Sequence, residues 1–255
     1  MAAVSVVSPD SSRRELREAL AEADRTDPGW RSADVAAPRE ALADEENAAL
    51  YFLAARRRLP PGPWPSHLDP KWMQIRYLPP PVRLSAPVLG EIKRQLGDIE
   101  PALAEARKLK ALSRGRSPVA VGYSTGGVRF DWDTLNDVRR LLVWEAAAQA
   151  DEGRTGEALA TAHAILVVGR CVADEPRVLH VVVRRESQVE AVRMMERSLA
   201  QGTAAPDDLA AAQALLEDEA AQPVLLNALR SERAALVRGM EKGYVPRNDP
   251  STKRG

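Results

Sequence analysis

Residues 133–171 read DTLNDVRRLLVWEAAAQADEGRTGEALATAHAILVVGRC, and this stretch decides the fold. Leu141 and Leu142 follow Val138 by three and four residues, which predicts an amphipathic helix with one apolar face. Gly153 follows and provides the left-handed backbone conformation that commonly ends a helix. A second helix is expected immediately afterwards. The stretch therefore predicts two helices folded back on each other as a hairpin.

Capping residues and small residues refine the predicted hairpin. Asp133 is expected to cap the first helix and Thr155 the second, because their side-chain oxygens can accept hydrogen bonds from unpaired amides. Small residues on the second helix are expected to let the two backbones approach closely. Its predicted inner face consists of Ala158, Leu159, Ala162, Ile165, Leu166 and Gly169.

The composition supports an all-α fold of one or two domains. The chain has 255 residues, with only two Phe and four Tyr, which is few for a β-rich protein. Basic and acidic residues are equal in number, 36 each, so the net charge gives no reason to expect nucleic acid as a partner. Cys171 is the single cysteine and excludes an intrachain disulfide. We predict antiparallel helical hairpins, side by side in a solenoid-like manner, with a proline-rich extended strap.

Four sections are predicted along the chain. Nine of the nineteen prolines lie between Pro60 and Pro87, which predicts an extended segment pinned by apolar anchors such as Trp72 and Ile75. The sections are the N-terminal helices at 1–58, the strap at 59–87, the helical-hairpin body at 88–241 and a flexible tail at 242–255.

Helix boundaries within these sections follow from periodicity and from proline positions. Pro101 is expected to kink or restart the helix that contains it, whereas Pro176, Pro206 and Pro223 each predict the first residue of a helix. The predicted helices cover 11–26, 44–58, 88–112, 134–150, 156–171, 176–200, 206–220 and 223–241.

The hairpin turn resembles that of the tetratricopeptide repeats. Those repeats place a glycine, three residues and then Glu-Ala-Leu at the turn between their two helices, as Gly153 and residues 157–159 do here. Where that family has large aromatic residues, this chain has Gln149 and Ala162. The resemblance implies a paired-helix unit of the kind that stacks into arrays.

A second resemblance covers most of the chain. Four short landmarks are similar to those of a family of uncharacterised bacterial helical proteins: Asp27-Pro28-Gly29-Trp30, Asp44-Glu45-Glu46-Asn47, Asp174-Glu175-Pro176 and Ser231-Glu232-Arg233-Ala234. The resemblance implies an all-helical fold and no known chemistry. Members of that family often carry an N-terminal membrane anchor.

No membrane insertion is expected from this sequence. Its longest apolar runs fall well below the roughly 18 residues that a membrane-spanning helix needs. Residues 1–8 have neither the basic start nor the apolar length of a signal peptide. We therefore expect a cytoplasmic location by default.

Catalytic and metal sites are not expected. Residues 122–126, GYSTG, have the form of a serine-hydrolase nucleophile elbow around Ser124, but no strand-and-helix frame surrounds it. His67, His163 and His180 are scattered and have no metal-binding spacing. We predict no catalytic residue, no metal and no cofactor.

Charged residues on the helix predicted from Pro176 also have a structural explanation. Glu186 and Glu190 share a helix face, and Arg185, Arg193 and Arg197 lie nearby. This spacing predicts a solvated ladder of opposite charges.

One basic cluster precedes the glycine-rich segment. Arg107, Lys108, Lys110, Arg114 and Arg116 lie within ten residues that contain no acid. Such a cluster can bind a phosphate or another anion, and it can equally complement the dipole at the C-terminus of a helix. An enzyme or anion-binding protein with its site around residues 107–132 is therefore the alternative function.

The leading functional hypothesis is a non-catalytic helical scaffold that binds a protein or peptide. Grooves between adjacent helices accept such ligands, and the strap could help to shape one. Met194 and Met195 are the predicted binding residues, because methionine adapts to varied apolar ligands. Val178, Val182, Val189 and Val192 lie on the same predicted helix. All six residues can equally belong to the core.

Overall fold

A computed structural model describes residues 9–31, 33–34, 42–61, 69–115, 132–173 and 178–241. Within these residues the regular secondary structure is helical throughout, so the predicted all-α class is confirmed. The chain divides into two compact units, one of residues 1–40 with 225–255 and one of residues 41–224. This division differs from the predicted sections, because the last helix belongs with the first.

The helices are numbered in chain order, with short 3-10 turns at Asp44–Glu46 and Lys108–Ala111. They are α1 (Pro9–Thr26), α2 (Ala48–Arg58), α3 (Pro70–Tyr77), α4 (Ala86–Asp98), α5 (Glu100–Arg107), α6 (Trp132–Asp151), α7 (Thr155–Ala173), α8 (Val178–Gln201), α9 (Pro206–Ala221) and α10 (Val224–Glu241).

The central hairpin is formed by α6 and α7, as predicted. Gly153 joins them with a φ of +77°, in the left-handed region that glycine favours. Every residue of the predicted inner face of α7 is buried. The two predicted caps are wrong. Asp133 lies inside α6, which begins one residue earlier at Trp132, and the buried Oγ1 of Thr155 makes no hydrogen bond to any described residue.

Gly169 lets α7 pack closely against α8 rather than against its hairpin partner. A Cβ atom at this position would lie 2.8 Å from Cβ of Ser187 and 3.3 Å from Cα of Arg184, both on α8. Such distances are too short for ordinary carbon contacts. The sequence predicted a close approach between the two hairpin helices. At Gly169 the close approach occurs instead between α7 and α8.

The prediction of an extended strap over 59–87 is wrong for residues 70–77, which form α3. Asp69 is the N-cap, and its Oδ1 accepts a hydrogen bond from the amide of Lys71 at 2.8 Å. Pro70 occupies the first helical turn, where a missing N–H costs nothing. Because the next proline is Pro79, beyond the C-cap, nothing interrupts the helix.

The segment that follows α3, residues 78–85, is non-helical and is fixed to the central hairpin and α8. Nη2 of Arg197 donates a hydrogen bond to the carbonyl of Val82 at 2.8 Å. The amide of Leu84 donates to Oδ1 of Asp151, the last residue of α6, also at 2.8 Å. Two different helices therefore hold this segment in place.

The helix predicted over 88–112 is broken in two at Ile99. Pro101 lies in the first turn of α5, so it restarts the helix, which is one of the two outcomes predicted. Residues 108–111 continue as a 3-10 turn. Pro206 begins α9 as predicted, and Pro223 lies one residue before α10. Pro176 lies outside the described residues.

One buried carboxylate, Glu219, attaches α9 to the rest of its unit. It accepts hydrogen bonds from Nε of Arg184 at 2.5 Å, from Nε of Arg170 at 2.7 Å and from Nε2 of Gln188 at 2.6 Å. Burial favours the neutral acid, but the hydrogen bonds and charge of Arg184 outweigh it and hold the pKa of Glu219 below its usual value. On α9, Leu215 is only partly buried.

In the other unit, two of the sequence landmarks meet. The indole N–H of buried Trp30 donates to Oδ1 of Asp24 at 3.0 Å. Asp27 accepts a hydrogen bond from Nε of Arg230 at 2.8 Å and pairs with Arg233 at 3.1 Å. The guanidinium of Arg233 also lies 5.5 Å from the centre of the Trp30 ring. These contacts join the turn after α1 to α10.

Candidate binding cleft

A cleft of about 290 Å³ lies between α8, the C-terminal part of α3 and the start of segment 78–85. Such a volume lies at the lower end of the range for small-ligand sites and accommodates one or two amino-acid side chains. Three arginines and one glutamate contribute charge to its lining. The lining residues are Ile75, Arg76, Tyr77, Leu78, Pro79, Pro80, Arg193, Met194, Glu196 and Arg197.

The three arginines differ in their exposure. The side chains of Arg76 and Arg193 are 38% and 40% exposed, so they reach the solvent at the edge of the cleft. The side chain of Arg197 is only 2% exposed. The cleft therefore has one buried positive charge and two at its edge.

Glu190 is the carboxylate nearest to the two arginines at the edge. Its Oε1 lies 3.6 Å from Nε of Arg76 and 3.6 Å from Nη1 of Arg193, distances too long for hydrogen bonds. Its Oε2 is buried and makes no hydrogen bond within the described part of the chain. Glu190 and Arg197 are thus buried, and the predicted solvated charge ladder is wrong for them.

Arg197 is only partly compensated. Apart from the hydrogen bond to Val82, its nearest charge partner is Oδ1 of Asp151 at 3.8 Å. Its buried Nε makes no hydrogen bond to any described residue, and the same holds for Nη1 of Arg193. Burial, and to a smaller extent the charge of Arg83, lowers the pKa of Arg197 despite Asp151.

These features together suit an anion that has an apolar part. Guanidinium groups bind carboxylates and phosphates through paired, charge-assisted hydrogen bonds. The rest of the wall is apolar or aromatic and comes mainly from Ile75, Leu78 and Met194. No described residue that lines the cleft is a serine, cysteine or histidine. The lining therefore offers groups that can bind an anion.

The predicted binding methionines differ in position. Both are buried, Met194 at 3% exposure and Met195 at 6%, and both contribute to the hydrophobic core. Met194 also lines the cleft, whereas Met195 does not. The four valines predicted beside them are instead on the exposed side of α8.

The predicted basic cluster does not converge on one point. Nε of Arg107 donates to Oε1 of Glu145 at 2.6 Å, and its Nη1 donates to Glu100 at 2.5 Å. Nζ of Lys108 donates to Glu105 at 2.7 Å. Lys110 is exposed and borders a second cavity, of about 100 Å³, with Arg107.

Arg114 and Arg116 complete that cluster. The carbonyl of Arg114 accepts a hydrogen bond from the amide of Ala48 at 3.0 Å, and Arg116 lies outside the described residues. Because Arg107 and Lys108 already pair with carboxylates, little of this positive charge is available for an anion. The alternative function around residues 107–132 stays a prediction.

The second cavity has a mixed charge. Burial raises the pKa of Glu145, and the hydrogen bond from Arg107 only partly opposes this. Arg154 and Glu157 also line it and pair with each other at 2.7 Å. Its charges therefore compensate one another, unlike those of the cleft on α8.

The remaining candidates have structural roles or lie outside the described residues. His163 is half-buried, and burial followed by the charge of Arg170 lowers its pKa. Among the described residues no group of histidine, cysteine or acidic side chains could hold a metal ion. His67 and Ser124 belong to segments that the structure does not describe.

Comparison with protein-family models, with curated proteins and with solved structures finds no match. Among the described helices, none combines the length and apolar character needed to span a membrane. Both resemblances drawn from the sequence stay predictions.

Few features of the sequence indicate the cleft. Arg76 lies more than a hundred residues before Arg193 and Arg197, and only tertiary packing brings them together. A local signal did exist. Arg193 and Arg197 are four residues apart on a helix, so they share a face, and Met194 between them was already predicted to bind.

Proposed function

We propose that this chain is a non-catalytic helical protein that binds a protein or peptide partner in the cleft between α3 and α8. The observation that carries the proposal is the set of three guanidinium groups on an otherwise largely apolar wall. Two of them, Arg76 and Arg193, have side chains that are 38% and 40% exposed, so a ligand can reach them from solvent. A peptide carboxylate beside an apolar side chain would satisfy both features.

The shape of the cleft supports a peptide rather than a larger rigid ligand. One of its walls is the non-helical segment with Leu78, Pro79 and Pro80, which two helices hold in place. A wall that is fixed before binding lowers the entropy cost of complex formation. A volume of about 290 Å³ accommodates the last residue or two of a chain and not a folded domain.

The experiment compares matched peptides by fluorescence anisotropy. A fluorescein-labelled peptide that ends in Leu-Leu with a free carboxylate is titrated against the full chain, beside the same peptide as its C-terminal amide. We expect the carboxylate form to bind at least about tenfold more tightly, which corresponds to one charge-assisted hydrogen bond of about 1.4 kcal/mol.

Two variants locate the binding. Arg193→Gln should weaken the carboxylate peptide about tenfold and leave the amide peptide unchanged. Arg94→Gln is the control, because Arg94 is exposed and pairs with Glu91 and Asp98 of its own helix. Equal affinity for the two peptides, or an equal loss of affinity in both variants, would show that the cleft is not the binding site.

A further inference from the structure

The outward face of α8 presents apolar residues to solvent. Val182, Val189, Val192 and Leu199 are each between 36% and 49% exposed. Valine is a weaker helix former than alanine, lysine or glutamate, because its branched side chain loses rotamer freedom in a helix. Four aliphatic side chains on one exposed face are therefore available to a partner.

These residues form a regular seam together with two charged ones. Val182, Arg185, Val189, Val192, Glu196 and Leu199 follow one another at alternating spacings of three and four residues. All six are exposed. Alternating spacings of three and four are the a and d pattern of a coiled coil, in which two helices pack along a narrow stripe.

The seam is complementary to itself in one orientation only. If a second α8 packs antiparallel, with the two-fold axis between residues 190 and 191, Arg185 lies opposite Glu196 of the second copy. Val189 then lies opposite Val192, and Val182 opposite Leu199. Two-fold symmetry repeats each of these contacts.

A parallel pair would be unfavourable. It would place Arg185 beside the Arg185 of the second copy, and Glu196 beside its Glu196, so like charges would meet at two positions. Within the described residues neither Arg185 nor Glu196 makes an ion pair in its own chain. Their charges therefore remain available for a partner.

We infer that α8 mediates an antiparallel homodimer through the seam of residues 182–199. The partner is a second copy of this chain, because the pattern of charge and apolar residues matches its own reverse. The seam is about 25 Å long, from seventeen residues at 1.5 Å each. A single helix pair is a small interface, so we expect the dimer to dissociate on dilution.

Charge reversal tests the register. Sedimentation analysis of the full chain over a range of concentrations should show a dimer for the wild type. Arg185→Glu and Glu196→Arg should each weaken it at least about tenfold, because like charges then meet twice. The double variant restores opposite charges across the seam and should return the dissociation constant to within about threefold of wild type.

Cysteine pairing tests the orientation. Val182→Cys protein mixed with Leu199→Cys protein should form a disulfide-linked dimer under mild oxidation. Val182→Cys alone should not, because the two copies of residue 182 lie about 25 Å apart along the antiparallel axis. Native Cys171 does not interfere, since burial raises the pKa of its thiol to about 12.

Several outcomes would overturn the inference. They are a monomer at every soluble concentration, a double charge variant no better than the single ones, or disulfide formation by Val182→Cys alone, which indicates a parallel pair. Circular dichroism confirms that each variant is folded, and all substituted positions are exposed. Glu196 belongs to both the seam and the cleft lining, but Arg193 lies outside the seam and Arg185 outside the cleft. Arg193→Gln and Arg185→Glu therefore let the two proposals fail separately.

Discussion

The central hairpin and α8 are neighbours that differ in the apolar residues they expose. Residues 141–150 of α6 are all buried and mostly apolar, and in α7 residues 164–168 are buried as well. Both regions bury charged side chains, such as Glu145 in α6 and Glu190 in α8, but among their described residues only α8 exposes a row of valines. A surface helix usually turns its apolar side chains toward the core. The central hairpin follows this pattern, whereas α8 leaves part of its apolar surface exposed to solvent.

The largest expected loss of stability comes from a substitution in the central hairpin. Leu166 on α7 is 1% exposed, so Leu166→Ala should cost about 2–5 kcal/mol through lost burial and a cavity. Urea unfolding at neutral pH measures it. Leu209→Ala, at an exposed position of α9, is the control and should change stability by less than about 0.5 kcal/mol. Similar losses in the two variants would mean that the inner face of α7 is misassigned.

A smaller effect is expected for the carboxylate that attaches α9. Glu219→Gln should cost about 2 kcal/mol, because it leaves Arg170 and Arg184 without their shared charge partner. The cost stays below that of a fully enclosed pair, since α9 can separate locally and let water reach the arginines. The exposed Glu217→Gln on the same helix is the control.

The pH dependence of that variant has a definite sign. The pKa of Glu219 is lowered in the folded state, so its stabilisation is complete above the unfolded pKa of about 4.3. It decreases as the pH falls through the lower folded value. The stability difference between wild type and Glu219→Gln should therefore shrink as the pH falls below about 4.3 and vanish only below the lowered folded-state pKa. A difference that stays constant throughout the acid range would contradict the assignment.

A still smaller effect concerns the contact between the two compared regions. Gly169→Ala should cost about 1–2 kcal/mol, because the new methyl group meets Ser187 of α8. The better helix propensity of alanine offsets part of this cost. The double variant Gly169→Ala/Ser187→Gly removes the contact with the Ser187 side chain and keeps the 3.3 Å approach to Cα of Arg184. Thermal unfolding should therefore show a loss smaller than the sum of the single losses.

The smallest expected effect is that of Val192→Ala on the outer side of α8, compared with a substitution on its inner side. Val183 is 1% exposed, so Val183→Ala should cost about 1.5–3 kcal/mol. Val192→Ala on the outer side should change the unfolding free energy of the dilute monomer by less than about 0.5 kcal/mol. A large loss in the Val192 variant at every concentration would show that its own chain covers the seam.

The sequence predicted what depends on local spacing. The apolar periodicity of residues 138–166 and the glycine at 153 act within a few turns, so the hairpin could be derived from them. The strap was predicted incorrectly at α3 because a count of prolines ignores their order. Asp69 followed by Pro70 begins a helix, although prolines elsewhere in the segment prevent one.

The cleft could not be predicted because its charges come from distant positions. Burial of Glu190 and Arg197 depends on the packing of α3 and segment 78–85 over α8, which no helical spacing reveals. In the sequence alone, Glu190 and Arg193 are a pair of opposite charges three residues apart on one helix. The difference between Met194 and Met195 could not be predicted either. Their positions in the sequence do not distinguish a residue that only belongs to the core from one that also lines a cavity.

Arg197 contributes to both the cleft and the hairpin, and this has a thermodynamic consequence. It lines the cleft, donates to the carbonyl of Val82 and lies 3.8 Å from Asp151 at the end of α6. A ligand that binds only this folded arrangement raises the free energy of unfolding by RT ln(1 + [L]/Kd). By the reciprocity of linked equilibria, a substitution at Asp151 that alters the position of Arg197 must alter ligand affinity by the same coupling free energy. Binding of a ligand in the cleft would therefore raise the melting temperature of the hairpin, although neither α6 nor α7 lines the cleft.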